Sequence, residues 1–134
     1  MVALAKTQAF DVWIWFPLGV GVNRLLTRNG RLQPGWEERL TLMFGSDDWQ
    51  SRFYVEMTDH TFFGTSKRKV KVVSPEAIAG YYAERLATVF PHVAEPALLR
   101  NSKNNPIYAL CFAAANPKGG QIALKIARHL LSRI

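Results

Sequence analysis

Two kinds of hydrophobic pattern alternate along this chain, and each predicts an element. Phe10 to Phe16 is almost continuously apolar and aromatic, with Asp11 its single polar residue, and Pro17 stops it. A short unbroken run of this kind predicts a strand buried on both faces, as in an α/β sheet covered by helices. Ahead of it, Val2 to Ala9 is rich in helix formers but has no capping residue before it, so it reads as the end of a helix whose start is missing. After it, Leu18 to Arg28 carries Val22, Leu25 and Leu26 at helical spacing, and Asn29 with Gly30 closes it as a turn.

Pro34 suits the first turn of a helix running to Phe44, with Trp36, Leu40, Met43 and Phe44 on one side and Glu37, Glu38 and Arg39 toward solvent; Gly45 stops it. Ser46 is the predicted cap of a third helix, because Asp47 and Asp48 then fall in the first turn, where the helix dipole favours carboxylates. Trp49, Phe53 and Tyr54 give that helix an apolar side. Glu56 to Ser66 has no clean period, and Lys67 to Val73 alternates basic residues with Val70 and Val72, as a charge-protected edge strand or an extended loop does. Ser74, Pro75 and Glu76 form a strong helix start, and Ile78, Tyr81, Tyr82, Leu86, Val89 and Phe90 supply its buried stripe before Pro91. Ala97 to Asn101 and Ile107 to Ala113 read as two strands of a β-hairpin joined by the polar segment Ser102 to Pro106. Asn116 and Pro117 open a terminal helix in which Ile122, Ile126 and Leu130 recur every four residues, with Ala123 and Ala127 beside them.

Composition narrows this picture. With 134 residues, 49% hydrophobic and 20% charged, the chain matches one globular α/β domain and not a disordered tail. No apolar stretch approaches the ~20 residues of a membrane span, since Val12 to Val22 is broken by Pro17, Gly19 and Gly21. Met1 to Phe10 carries only Lys6 and lacks a signal-peptide core, and a single cysteine, Cys111, excludes an internal disulfide framework and a cysteine-based zinc site. A cytoplasmic protein is the expectation. The net charge of +7 permits an anionic partner without naming one.

Candidate chemistry concentrates at two places. Pro17, Gly19, Asn23 and Arg24 follow the apolar strand and open a helix, the position at which ligands of open α/β sheets bind. The two glycines either allow close approach of a ligand to backbone or simply make a tight turn, and Arg24 offers a planar cation to phosphate or carboxylate. The G-x-G spacing lacks a third glycine and a following acidic strand end, so it is weak as a nucleotide fingerprint. Asn101, Asn104 and Asn105, with Arg100, Ser102 and Lys103, are dense in donors and acceptors, a pattern that serves first to stabilise a turn. Lys67, Arg68, Lys69 and Lys71 form a basic run whose nearest aromatics, Phe62 and Phe63, precede it in sequence instead of interleaving with it. A solvated edge is favoured there over a nucleic-acid patch. His60, His92 and His129 have no mutual ligand spacing, and no nucleophile and base pair stands out.

Taken in order, several stretches resemble the three-Cys-motif partner (TcmP) protein family. They are Lys6-Thr7 followed by Asp11-Val12-Trp13; Phe16-Pro17-Leu18-Gly19 through Asn23-Arg24-Leu25-Leu26-Thr27-Arg28; Phe44-Gly45-Ser46-Asp47-Asp48-Trp49; the helix Ala77 to Phe90; Leu99 through Tyr108; and Ala115-Asn116-Pro117-Lys118-Gly119. Members of that family are longer and look like class I methyltransferases with a Rossmann-like sheet, and their first half carries a D-x-F-A-G-x-G segment and a strand ending in D-P-F-G or D-P-Y-G. Neither motif occurs here, so the chain resembles the family's carboxyl-terminal half. The resemblance implies a partial Rossmann-like fold, a three-stranded mixed sheet with flanking helices. In it, Ile107 to Ala113 inserts antiparallel between Phe10 to Phe16 and Ala97 to Asn101.

It further implies S-adenosylmethionine as the cofactor of the full-length family, with no cofactor or metal site in this chain and little activity of the chain alone. Pro17, Gly19, Asn23 and Arg24 become the acceptor-side wall, with Asn101, Asn104 and Asn105 farther off. The implied partners are a three-Cys-motif protein similar to radical S-adenosylmethionine enzymes, a separate amino-terminal half, or a second copy through the Phe10 to Phe16 edge. An interaction module docking on such a partner, and a basic nucleic-acid-binding domain, are the alternatives.

Overall fold

A computed structural model describes residues 1–134, side chains included except that of Val20. It is a mixed α/β protein that opens with the short helix α1 (Val2–Lys6), and its chain packs into two compact units, Met1–Gly19 with Pro75–Ile134, and Val20–Ser74.

The first unit is built on a four-stranded sheet. The long strand β6 (Pro106–Ala114) lies at its centre. On one side it pairs along its length with β1 (Asp11–Pro17), from Asp11 opposite Ala114 to Pro17 opposite Tyr108. On the other side it pairs with two short strands in succession, β4 (His92–Val93) near its end and β5 (Ala97–Arg100) near its start. The expected order of first, third and second strand is therefore observed, with β4 as an addition. Every pair is antiparallel. The expectation of a mixed sheet is corrected in that respect, and the lack of a parallel pair among the described strands argues against a Rossmann-like fold. β1 and β5 run in the same direction only because each is antiparallel to β6.

Burial follows from what covers each face. Helix α4 (Pro75–Ala87) lies on one side, where Tyr82 stacks on Phe16 with ring centroids 4.1 Å apart. Helix α5 (Gly120–Leu131) lies on the other, where Ala127 and Leu131 pack against Phe112, Ala114 and Ala94. Residues 109 and 111–114 of β6 are thus buried on both faces, as a central strand requires. β1 is not. Its burial alternates, with Phe16 buried and Asp11, Trp13 and Trp15 exposed, so the expectation of a strand covered on both faces is corrected. Trp13 leans on Phe112 and Trp15 meets the edge of Tyr108, which covers only part of each ring.

The α5 stripe is corrected as well. Ile122 is 67% exposed and Ile126 and Leu130 are also exposed, while Gly120, Ala127 and Leu131 are buried. The apolar arc of this helix is wider than the sheet it sits on, so one flank remains in solvent. Among the described residues no helix is long and apolar enough to cross a membrane.

The chain leaves β1 in a π-helical turn, Leu18–Asn23, where a regular α-helix was expected, and the second unit starts within it at residue 20. It continues through α2 (Trp36–Phe44), ended by Gly45, and the short α3 (Trp49–Phe53). Ser46 does not cap the first turn of α3: its hydroxyl accepts the Asp48 N–H at 3.3 Å, and the helix starts at Trp49. Leu40, Phe44, Trp49 and Phe53 form the buried side, and the Trp49 indole donates to Thr41 at 3.0 Å. Tyr54, expected on the helix, begins a strand instead. β2 (Tyr54–Thr61) and β3 (Gly64–Lys71) make a separate two-stranded hairpin, of which the segment 56–66 had shown no period and 67–73 had been open between strand and loop.

Candidate functional site

The strand end that leads out of β1 is held tightly, and this decides what it can do. A Cβ on Gly19 would lie 2.9 Å from the Pro106 carbonyl and 3.3 Å from the Ile107 Cα, both backbone atoms of the start of β6. Glycine is therefore required for packing, and its backbone is turned to protein and not to a ligand. Leu18 and Val22 are fully buried on either side of it. Pro17 stands half-buried at the end of the strand, opposite Tyr108.

Asn23 and Arg24 lie in the second unit. The Asn23 side-chain oxygen and main-chain carbonyl both accept from the Lys71 ammonium, which also donates to the Leu26 carbonyl at 3.2 Å. Lys71 sits among these acceptors partly out of water; burial, and secondarily the Arg28 charge, lower its pKa below the ordinary lysine value. Asn23 is thereby used as a structural acceptor. Arg24 is exposed.

The asparagine segment is a self-satisfied turn. The Asn101 side-chain oxygen accepts the N–H groups of Lys103 at 3.0 Å and Asn105 at 2.9 Å, and Asn104 adopts a left-handed φ of 61°. Arg100 closes the set by donating to the Asn104 carbonyl and pairing with Glu76 at 3.1 Å. Because β5 and β6 lead into this turn and β1 ends opposite Tyr108, the sheet brings Pro17, Gly19 and the turn to one end of the first unit. All three asparagines are exposed, and the polar atoms that define the turn face one another.

Reactive side chains are few. Cys111 is buried between the sheet and α4, and burial pushes its thiol up to about 12, which leaves no thiolate at neutral pH. No group of three or more His, Cys, Asp or Glu side chains that could hold a metal ion occurs among the described residues. One feature that sequence reading missed is His92, whose ring Nε2–H donates to the Pro117 carbonyl at 3.0 Å and whose Cδ2 would lie 2.4 Å from a Cβ on Gly120. It fastens the start of α5 to β4. At the other end of α5, a cleft of about 550 Å³ is lined by Glu95, Pro96, Ala97, Arg128, Leu131 and Ser132. It holds one acid and one base and no nucleophile partnered by a general base.

The open side of the sheet is the more distinctive surface. Ala115 donates to the Phe10 carbonyl, so residues 12, 14 and 16 direct their backbone groups to β6, and those of Asp11, Trp13 and Trp15 point away from it. Pro17 continues this outward set, and its missing N–H fits an edge position. Arg128 and Ser132 line the cleft beside Ala97, and Ile126 and Leu130 lie on the opposite, exposed flank of α5.

No family model, curated protein or solved structure matches the chain.

Proposed function

We propose that this chain is the acceptor-side half of a TcmP-type, methyltransferase-like protein and works when a second polypeptide segment completes its sheet at β1. The observation that carries the reading is the order β1–β6–β5, in which an antiparallel strand separates two strands of common direction and β1 presents an unpaired edge. That is the arrangement expected for the last three strands of a class I methyltransferase sheet. The exposed Trp13, Trp15, Ile122, Ile126 and Leu130 are then the surface the second segment covers.

The residues present do not fit S-adenosylmethionine. The glycine at the strand end is occupied by the backbone of residues 106 and 107, Asn23 is engaged by Lys71, and no acidic residue stands at either place. A wall without its opposite wall buries little of a ligand. Calorimetry on the isolated chain should show no saturable heat from S-adenosylmethionine up to about a millimolar, roughly 4 kcal/mol of binding. Micromolar affinity would overturn the assignment. Adding a polypeptide that carries the D-x-F-A-G-x-G half should restore binding, and Arg24→Ala should then impair methyl transfer more than cofactor affinity, because Arg24 is assigned to the acceptor.

A second reading, an interaction module that docks on a three-Cys-motif protein similar to radical S-adenosylmethionine enzymes, draws on the same edge. An apolar open edge self-associates or docks. The purified chain should sediment as a concentration-dependent oligomer, and Trp15→Lys should shift it to monomer; a clean monomer at all concentrations would remove this support.

A further inference from the structure

The β2–β3 hairpin carries two features that sequence order had kept apart. Phe62 and Phe63 form the two-residue tip, 98% and 97% exposed, with their rings edge-to-face at 5.7 Å. Gly64, at a φ of 128° open only to glycine, and the Thr61 hydroxyl, which donates to the Gly64 carbonyl at 2.8 Å, close the turn beneath them. The register places Glu56 opposite Lys69 and Thr58 opposite Lys67, so Lys67 and Lys69 share one face with His60 and Thr65, and Arg68 stands on the other beside Met57.

The base of this ribbon is anchored and its shaft is free. Tyr54 is buried and donates to the Thr27 carbonyl at 2.6 Å, the Lys71 N–H bonds the Arg28 carbonyl, and Val72 bonds Phe53. From residue 55 to residue 69 almost every position is exposed. The partners of the basic groups are weak ones: Lys67 stands 3.8 Å from Glu56 and Arg68 2.7 Å from Asp59, both in solvent. Exposed pairs of this kind contribute ~0–1 kcal/mol and exchange readily for another anion.

A fully solvated pair of phenylalanines at the apex of a rigidly based ribbon offers free ring faces and adds nothing to the core. The basic groups form a stripe along the ribbon, with successive lysines on one face about 6.7 Å apart, and not a collar around the tip. A flat anionic surface touched end-on would meet the tip and leave Lys69, about 17 Å down the strand, out of reach. A linear polyanion laid along the ribbon meets Lys67 and Lys69 on one face, and free bases supply the flat partners that the rings lack. We propose that this hairpin binds single-stranded nucleic acid, with Lys67 and Lys69 on neighbouring phosphates and unpaired bases stacked on Phe62 and Phe63. This does not rest on the methyltransferase-like reading.

The test is fluorescence anisotropy of the full chain with labelled oligothymidylate and oligouridylate of about 20 nucleotides, longer than the ~4–16-nucleotide sites of single-strand-binding modules. Two phosphate contacts predict a slope of log affinity on log salt near −1.4, about a seven-fold loss from 50 to 200 mM salt. Replacing both Phe62 and Phe63 by Ser should weaken binding at least about ten-fold with the slope unchanged. Replacing both Lys67 and Lys69 by Gln should reduce the slope by roughly 1.4. All four side chains are exposed, so the melting temperature serves as a check that these variants fold. Absence of binding at low salt, a slope near zero, an unaffected Phe variant, or tighter binding to a duplex of the same length would each overturn the proposal. So would Phe-dependent binding to vesicles containing phosphatidylserine without binding to the oligonucleotides, which assigns the tip to a membrane instead.

Discussion

β6 and β3 are strands of similar length in one small protein, each paired antiparallel, and they live in opposite environments. β6 is buried from 111 to 114 because α4 covers the face of Cys111 and Ala113 while α5 covers that of Phe112 and Ala114. β3 is exposed from Gly64 through Lys69 and has only β2 as a neighbour. An isolated two-stranded ribbon is marginal in water, so this one depends on its anchored base. The contrast teaches that hydrogen-bonded pairing alone does not decide stability here: helical cover stabilises one sheet, and a few contacts at residues 54 and 71 tether the other.

The sharpest way to break the contrast is to empty the covered side. Phe112→Ala removes the ring between Trp13 and α5 and should cost about 3–5 kcal/mol, read as a lower urea midpoint. A loss under ~1 kcal/mol would mean that α5 does not hold the sheet.

At the other sheet the corresponding change is Lys71→Met, which takes away the donor shared by Asn23 and Leu26 and should cost roughly 1–3 kcal/mol. Amides of residues 56–69 should exchange faster in this variant while those of β6 keep their protection. Because the Lys71 pKa is lowered in the folded state, the unfolded chain binds more protons between that value and the ordinary 10.5, so this group makes stability rise with pH across that window. Lys71→Met should abolish the rise.

Cys111 gives the buried strand the opposite sign. Its thiol ionises near 9.0 when unfolded and about 12 when folded. Between those values the folded chain retains a proton that the unfolded chain has lost, so stability falls with rising pH by up to about 1.4 kcal/mol per unit. Cys111→Ala should flatten that part of the alkaline unfolding profile. Tyr82 and Tyr54, whose pKa values burial also raises, keep the remainder of the alkaline loss.

The smallest effect belongs to the ribbon tip. Phe62→Ser and Phe63→Ser should each change stability by less than ~0.5 kcal/mol, since neither ring is covered. A larger loss would show that the tip packs on something, and would close the comparison between a covered and an uncovered strand.

What was legible beforehand depended on burial. The spans of β1, β5, β6 and α4, the turn role of Asn101 and Asn105, and the central place of β6 could be read from the chain. In each case, local chemistry or a covered face writes a pattern into the residues: continuous apolar side chains in β6, a Ser-Pro-Glu start and an apolar stripe in α4, amides that bond their own backbone in the turn.

The candidate site was less legible. By sequence Asn23 is a ligand candidate and Gly19 serves either a ligand or a tight turn, and the fold spends them on Lys71 and on the backbone of residues 106 and 107, contacts made across 48 to 88 positions of chain. β2 left no signal because a ribbon wet on both faces imposes no period of two. The apolar arc of α5 was visible, but the position of the sheet beneath the helix decided that Ala127 and Leu131 would be buried and Ile122, Ile126 and Leu130 left out. The sequence by itself determined which residues must leave water. Only the tertiary structure decided which of them found cover, because cover is supplied by whichever elements the chain brings alongside, and β1 has a neighbour on one edge alone.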